Sequence, residues 1–135
     1  MEELIRTLHE GNYSCVIRKG TETKVFTQKG VADLFELCEN KEKFLENAVV
    51  ADKVVGKGAA SLMVKGGVKA VYADIISSPA LALLKEHSVV TSYLKETEYI
   101  INRSKNGMCP VESLCLNLHS IEDMYQAIYK FINKS

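Results

Sequence analysis

Leu4, Ile5 and Leu8 share one face of a short amphipathic helix, which Gly11 and Asn12 stop. Two β-rich runs follow, YSCVIRK and TKVFTQ, joined through Gly20, Thr21 and Glu22, a pattern that predicts a β-hairpin. Gly30 starts a second helical pattern with Val31, Leu34, Phe35, Leu37 and Cys38 apolar, and the charged stretch 40–47 reads as a turn followed by a helical piece around Phe44 and Leu45. From Asp52 the spacing Val55, Ala59, Leu62, Met63 predicts a buried helix. Gly66 and Gly67 close it as a left-handed cap. Residues 68–76 are nearly all apolar, as expected of a central strand covered on both faces. Ser78 reads as an N-cap with Pro79 in the first helical position, opening a helix through Leu84.

Past His87 and Ser88, VVTSYL and EYIIN read as two strands linked by Lys95, Glu96 and Thr97. So short a link predicts an antiparallel pair. Asn106–Gly107 reads as a turn, Cys109-Pro-Val-Glu as a capped helix start, and Ser120-Ile-Glu-Asp as a capping box. The last helix is expected to bury Met124, Ile128, Phe131 and Ile132. A hairpin, then helices alternating with strands, predicts an α/β fold: a three-layer α-β-α sandwich with a mixed sheet. The sequence contains no repeat, low-complexity tract or linker, so one domain is expected over residues 1–135.

Composition narrows the function. At 135 residues, 47% hydrophobic and 25% charged, the chain has ordinary globular proportions. Seventeen basic residues balance seventeen acidic ones, without the cationic excess by which nucleic-acid binders release counterions. No nucleic-acid partner is expected. No apolar run reaches the length of a membrane span, and MEELIRTLHEGN has no apolar signal core, so the expectation is a cytoplasmic protein without a membrane partner. Cys15, Cys38, Cys109 and Cys115 include no C-x-x-C pair and read as free thiols.

Asp52-Lys53-x-x-Gly56-Lys57-Gly58 would set two lysines four residues apart in a helix's first turns, where free N–H groups attract anions. The other reading of the segment is a solvated helix start whose glycines serve packing. It fails as a P-loop, because Ala51 and Gly58 stand where glycine and a metal-binding hydroxyl are needed. Cys109 is the candidate nucleophile. At an N-cap its thiol would face unpaired N–H groups, with Arg103 adding positive charge and Glu112 accepting a proton or capping. The alternative is a buried cysteine in a turn. Cys109, Cys115 and His119 do not have zinc spacing, so no metal is expected. Asp74 sits in an apolar run and needs partners. Ser77 and Ser78 follow the strand's carboxyl end, where open sheets place ligands. His9 and His87 read as surface residues near helix ends, and no G-x-S-x-G elbow is present.

Four blocks carry a family resemblance: Asp52-Lys-Val-Val-Gly-Lys-Gly-Ala-Ala, Tyr72-Ala-Asp-Ile-Ile-Ser-Ser-Pro-Ala, Asn102-Arg103 and Cys109-Pro-Val-Glu. With the element order, they make the chain resemble a small bacterial family of unknown function with a cytidine-deaminase-like fold. The resemblance places the zinc motifs of the deaminases, His-x-Glu or Cys-x-Glu and Pro-Cys-x-x-Cys, at two helix starts. Here those locations fall at the Asp52 helix and at Ser77-Ser78-Pro79-Ala80, which supply no Cys, His or shuttle Glu. It therefore implies a zinc-less relative without hydrolytic deamination and without a cofactor.

The expected activity is binding of a small anionic or nucleotide-like ligand where two helix N-termini meet. Asp52, Lys53, Gly56 and Lys57 would form one wall and Ser77 and Ser78 the other, with Asn102, Arg103, Cys109 and Glu112 approaching from the C-terminal segment. Two other readings stand beside it. One is a thiol enzyme, for group transfer or redox chemistry, using Cys109 with Glu112. The other is a ligand-free structural or oligomer-forming module whose crevice its own side chains close. A homo-oligomer is compatible with each.

Overall fold

The computed structural model describes residues 1–28, 30–101 and 107–133. Among them five strands and six helices follow one another as α1 (Glu2–Glu10), β1 (Cys15–Lys19), β2 (Glu22–Phe26), α2 (Ala32–Glu39), β3 (Val49–Val55), α3 (Lys57–Gly66), β4 (Ala70–Ser77), α4 (Ser78–Glu86), β5 (Val90–Thr97), α5 (Pro110–Leu116) and α6 (Ile121–Ile132). The strands form one mixed sheet in the order β2-β1-β3-β4-β5. β1 runs antiparallel to both β2 and β3, while β3, β4 and β5 run parallel.

Side-chain alternation divides the sheet between two cores. Ile17, Val50, Val71 and Ala73 face the larger one, with α2, α3, α4, α5 and α6. Val16, Ala51 and Tyr72 face the other way, against Leu4 and Leu8 of α1. The result is a three-layer α/β sandwich. α1 is also held by polar contacts: His9 Nε2 lies 2.8 Å from Asp74 Oδ1, and Tyr72 donates its hydroxyl to the same oxygen at 2.6 Å. Asp74 thus finds its partners at the sheet surface. Among the described residues no helix is long and apolar enough to cross a membrane.

Four expectations need correction. Residues 44–47 make turns and not a helical piece. Residues 49–55 form a strand, so Asp52 and Lys53 lie in β3 and not in the first turn of a helix. The β-branched Val49, Val50, Val54 and Val55 favour the extended chain, and β3 fills the sheet position between β1 and β4. The run after Ser88 is one strand, β5, parallel to β4 through Ser77↔Thr97, so Lys95–Thr97 is strand and not a turn. Of the second expected strand, Ile101 makes only an isolated bridge to Met108. Phe131 and Ile132 are exposed, because the last turn of α6 runs past the core that buries Met124 and Ile128.

α3 explains the small residues of its sequence. All residues from Lys57 to Met63 are buried. A Cβ on Gly58 would collide with Val111 Cγ1, and one on Gly66 would come within 2.6 Å of Leu45 Cβ. Gly67, at φ 86°, supplies the left-handed cap and donates its N–H to Met63 O and Val64 O.

Candidate functional site

β3 and β4 are adjacent and parallel, and each turns directly into a helix at its carboxyl end, so α3 and α4 open side by side. Gly56 is the N-cap of α3 and contributes no side chain. Its bareness leaves room, since a Cβ there would lie 3.2 Å from Ile100 Cγ1 and 3.4 Å from Glu112 Oε2. Ser77, fully buried, is the N-cap of α4 and accepts from Ala80 N. The cap is therefore one residue earlier than expected from Pro79, because proline is tolerated anywhere in a helix's first turn, where the N–H has no intrahelical acceptor. Ser78 reaches the edge strand instead, donating to Glu96 Oε2 at 2.7 Å.

Glu112 occupies the junction. Its carboxylate, 1% exposed, accepts from Lys57 N at 2.7 Å and Ser77 Oγ at 3.1 Å on Oε1, and from Ile100 N at 2.6 Å on Oε2. Three chain segments thus converge on one anion, two of them helix starts whose dipoles reinforce the hydrogen bonds. Lys57 returns the contact. Its side chain is only 8% exposed, and Nζ donates to Leu116 O at 3.0 Å and Leu118 O at 2.8 Å, where α5 ends. Glu112 caps the start of α3 while Lys57 caps the end of α5, and the two opposite charges are buried in one cluster. Among the described residues no buried side-chain nitrogen or oxygen lacks a partner.

The structure brings together Gly56, Lys57, Ser77 and Glu112, with Ser78 at the margin. Asp52 and Lys53 belong elsewhere. Lys53 lies on the α1 side, bonded to Asn12. Asp52 pairs across the sheet with Cys15, accepts from Val54 N at 3.1 Å, and takes the Cys15 thiol as a further donor. Burial pushes its carboxyl up to about 7, against the opposing pull of these hydrogen bonds. Asn102, Arg103 and Asn106 lie outside the described residues.

Cys109 caps α5 without a side-chain hydrogen bond and packs, half-buried, against the main core. Glu112 points away from it toward α3, both oxygens engaged. Burial pushes the Cys15 thiol well above its ordinary value and those of Cys38 and Cys115 to about 11. Those three are protonated near neutrality. His119 lies past the end of α5, so it does not share a helix with Cys115. Among the described residues no group of three or more His, Cys, Asp or Glu side chains is placed to hold a metal ion. The junction is also wrong for a cation in kind: it offers N–H and O–H donors, an ammonium nearby and a single carboxylate.

A groove of about 450 Å³ adjoins the cluster, lined by Lys57, Pro79, Leu83, Leu118, His119 and Met124 among others. Sequence reasoning missed Lys57 as a cap of α5 and Ile100 as a donor. Lys57 was visible only as a lysine at a helix start, and a backbone N–H leaves no trace in residue type.

A family model described as a domain of unknown function, DUF1893, matches residues 3–132. The chain is also similar to a DUF1893 family protein of Thermotoga maritima, TM1506, whose crystal structure was determined at 2.70 Å. The two are 26% identical, and the match covers 96% of this chain and 88% of that one with a TM-score of 0.88. No curated protein matches the sequence.

Proposed function

The chain belongs to the DUF1893 family of unknown function, and we propose that it is a metal-independent, deaminase-like binding protein that takes a small anionic or nucleotide-like ligand at the junction of α3 and α4, in exchange for Glu112. One observation carries this reading: Lys57 N, Ser77 Oγ and Ile100 N are aimed at a single buried carboxylate. A ligand carboxylate or phosphate offers the same acceptor chemistry to the same donors. The neighbouring groove has room for the rest of such a molecule, with Lys57 and His119 on its wall. At the helix starts where the family resemblance puts zinc ligands, this chain has Gly56-Lys57-Gly58 and Ser77-Ser78-Pro79, which suit an anion and not a metal.

The test compares the wild type with Glu112→Gln in thermal-shift and calorimetric titrations against inorganic phosphate, nucleosides and nucleotides. Removing the resident negative charge is expected to tighten binding of the anionic compounds over the wild type. A flat response from both folded proteins rejects the reading.

The burial of three thiols favours Cys109 for the second reading, a thiol-dependent enzyme. Iodoacetamide near neutral pH is then expected to modify Cys109 ahead of Cys15, Cys38 and Cys115. An unreactive Cys109 removes this alternative.

A further inference from the structure

We infer that β5 is a dimerisation edge, on which a second copy of this chain pairs antiparallel about a two-fold axis through Ser92. The inference is independent of the ligand reading, since it concerns the outward backbone of β5 and not the junction of α3 and α4. Among the described residues β5 pairs on one side only, with β4. Between Ser88 and Leu94 the sequence has no proline and no charge, the usual devices that protect a free edge. Val90 and Leu94 are 71% and 77% exposed and, two residues either side of Ser92, lie on one face of the strand.

The backbone fixes which registers are allowed. Val90 donates its N–H to Lys69 O at 3.1 Å, toward β4. Strand alternation then aims the N–H and C=O of Thr91 and Tyr93 outward. An antiparallel partner must exchange hydrogen bonds between outward residues, so odd positions must pair with odd ones. Among such registers, the one centred on Ser92 sets Thr91 against Tyr93 of the second copy and Val90 against Leu94, each twice. The apolar pairs fall at non-hydrogen-bonded positions, where side chains approach most closely. A shift of two residues toward the C-terminus would set Val90 against Glu96, and one toward the N-terminus would set it against Ser92. Only the chosen register gives both Val90 and Leu94 an apolar partner, and it joins the two sheets into one.

Light scattering coupled to size exclusion, over a concentration series of the full chain, is expected to give the dimer mass. Leu94→Lys and Thr91→Pro are each expected to give the monomer mass with an unchanged far-ultraviolet spectrum. Proline at 91 removes an outward N–H and the Thr91 hydroxyl's bond to Val89 O, and no hydrogen bond to β4. Ser92→Cys tests the register itself: the two Cα atoms would lie roughly 4.5 Å apart, within the span of a disulfide. On mild oxidation Ser92→Cys is expected to yield a covalent dimer, and Val90→Cys and the wild type none. A monomer at every concentration, a dimer that survives both Leu94→Lys and Thr91→Pro, or no covalent dimer from the Ser92→Cys variant overturns the inference.

Discussion

Asp52 shows how one side chain can set a pH dependence for the whole chain. Its carboxyl titrates near 7 in the folded protein against 3.8 as a free group, because burial outweighs the hydrogen bonds from Val54 N and Cys15. Between those values the folded state holds a proton that the unfolded state has lost. Stability therefore falls as pH rises from about 4 to about 7, by at most about 1.4 kcal/mol per pH unit, and levels off above. Asp52→Asn keeps an oxygen for Val54 N and removes the titration. The variant is expected to gain on the wild type from pH 5 to about pH 7 in urea midpoints and to hold that margin above, and equal slopes for the two proteins from pH 5 to pH 7 would refute the assignment. Sequence pattern marks Asp52 as special for the wrong reason. It suggests an anion-site residue at a helix start, whereas Asp52 is a strand residue buried beside Cys15. Ser77 and Glu112 are legible as chemistry-bearing residues, yet their meeting is not, since they are separated by 35 positions in the chain.

At the scale of elements, the helix–strand alternation from α3 to α4, the Gly67 cap and the Ser120 cap can all be read from local pattern. β3 cannot, because Asp52 and Lys53 break the apolar run and Val55, Ala59 and Leu62 extend a helical spacing back across the true boundary. β5 escapes because an edge strand tolerates charges on its open side, so Lys95 and Glu96 mimic a turn. The glycines of α3 carry a quantitative consequence. Gly58→Ala would gain about 1 kcal/mol of helix propensity but overpack Val111, a clash that costs about 1–3 kcal/mol. Net destabilisation is expected in the wild-type background, and a gain or neutrality when Val111→Ala is already present. A double-mutant cycle by chemical denaturation measures the coupling, and additivity of the two changes would show that the small residue serves something other than this contact.

Across the whole molecule, the polar cluster ties the C-terminal helices to the sheet. Glu112 holds Lys57 N and Ile100 N at once, from widely separated positions in the chain. Without the Glu112 carboxylate, Lys57 N, Ser77 Oγ and Ile100 N lose their acceptor, and an unsatisfied buried polar group costs about 1–3 kcal/mol. Glu112→Ala is therefore expected to lower the unfolding free energy by that order, and a change within about 0.5 kcal/mol, the range of an ordinary surface substitution, would contradict the role given to the cluster. α5 and α6 cover the Gly58 side of α3 with Val111 and Ile128, so the same link also keeps water from the buried helix.

Reciprocal capping makes α5 a latch. Because Glu112 closes the start of α3 and Lys57 closes the end of α5, neither bond can open without weakening the other. The amide protons of Lys57 and Ile100 should then exchange with solvent at a common rate, set by a single release of the C-terminal helices, while those between β3 and β4 wait for global unfolding.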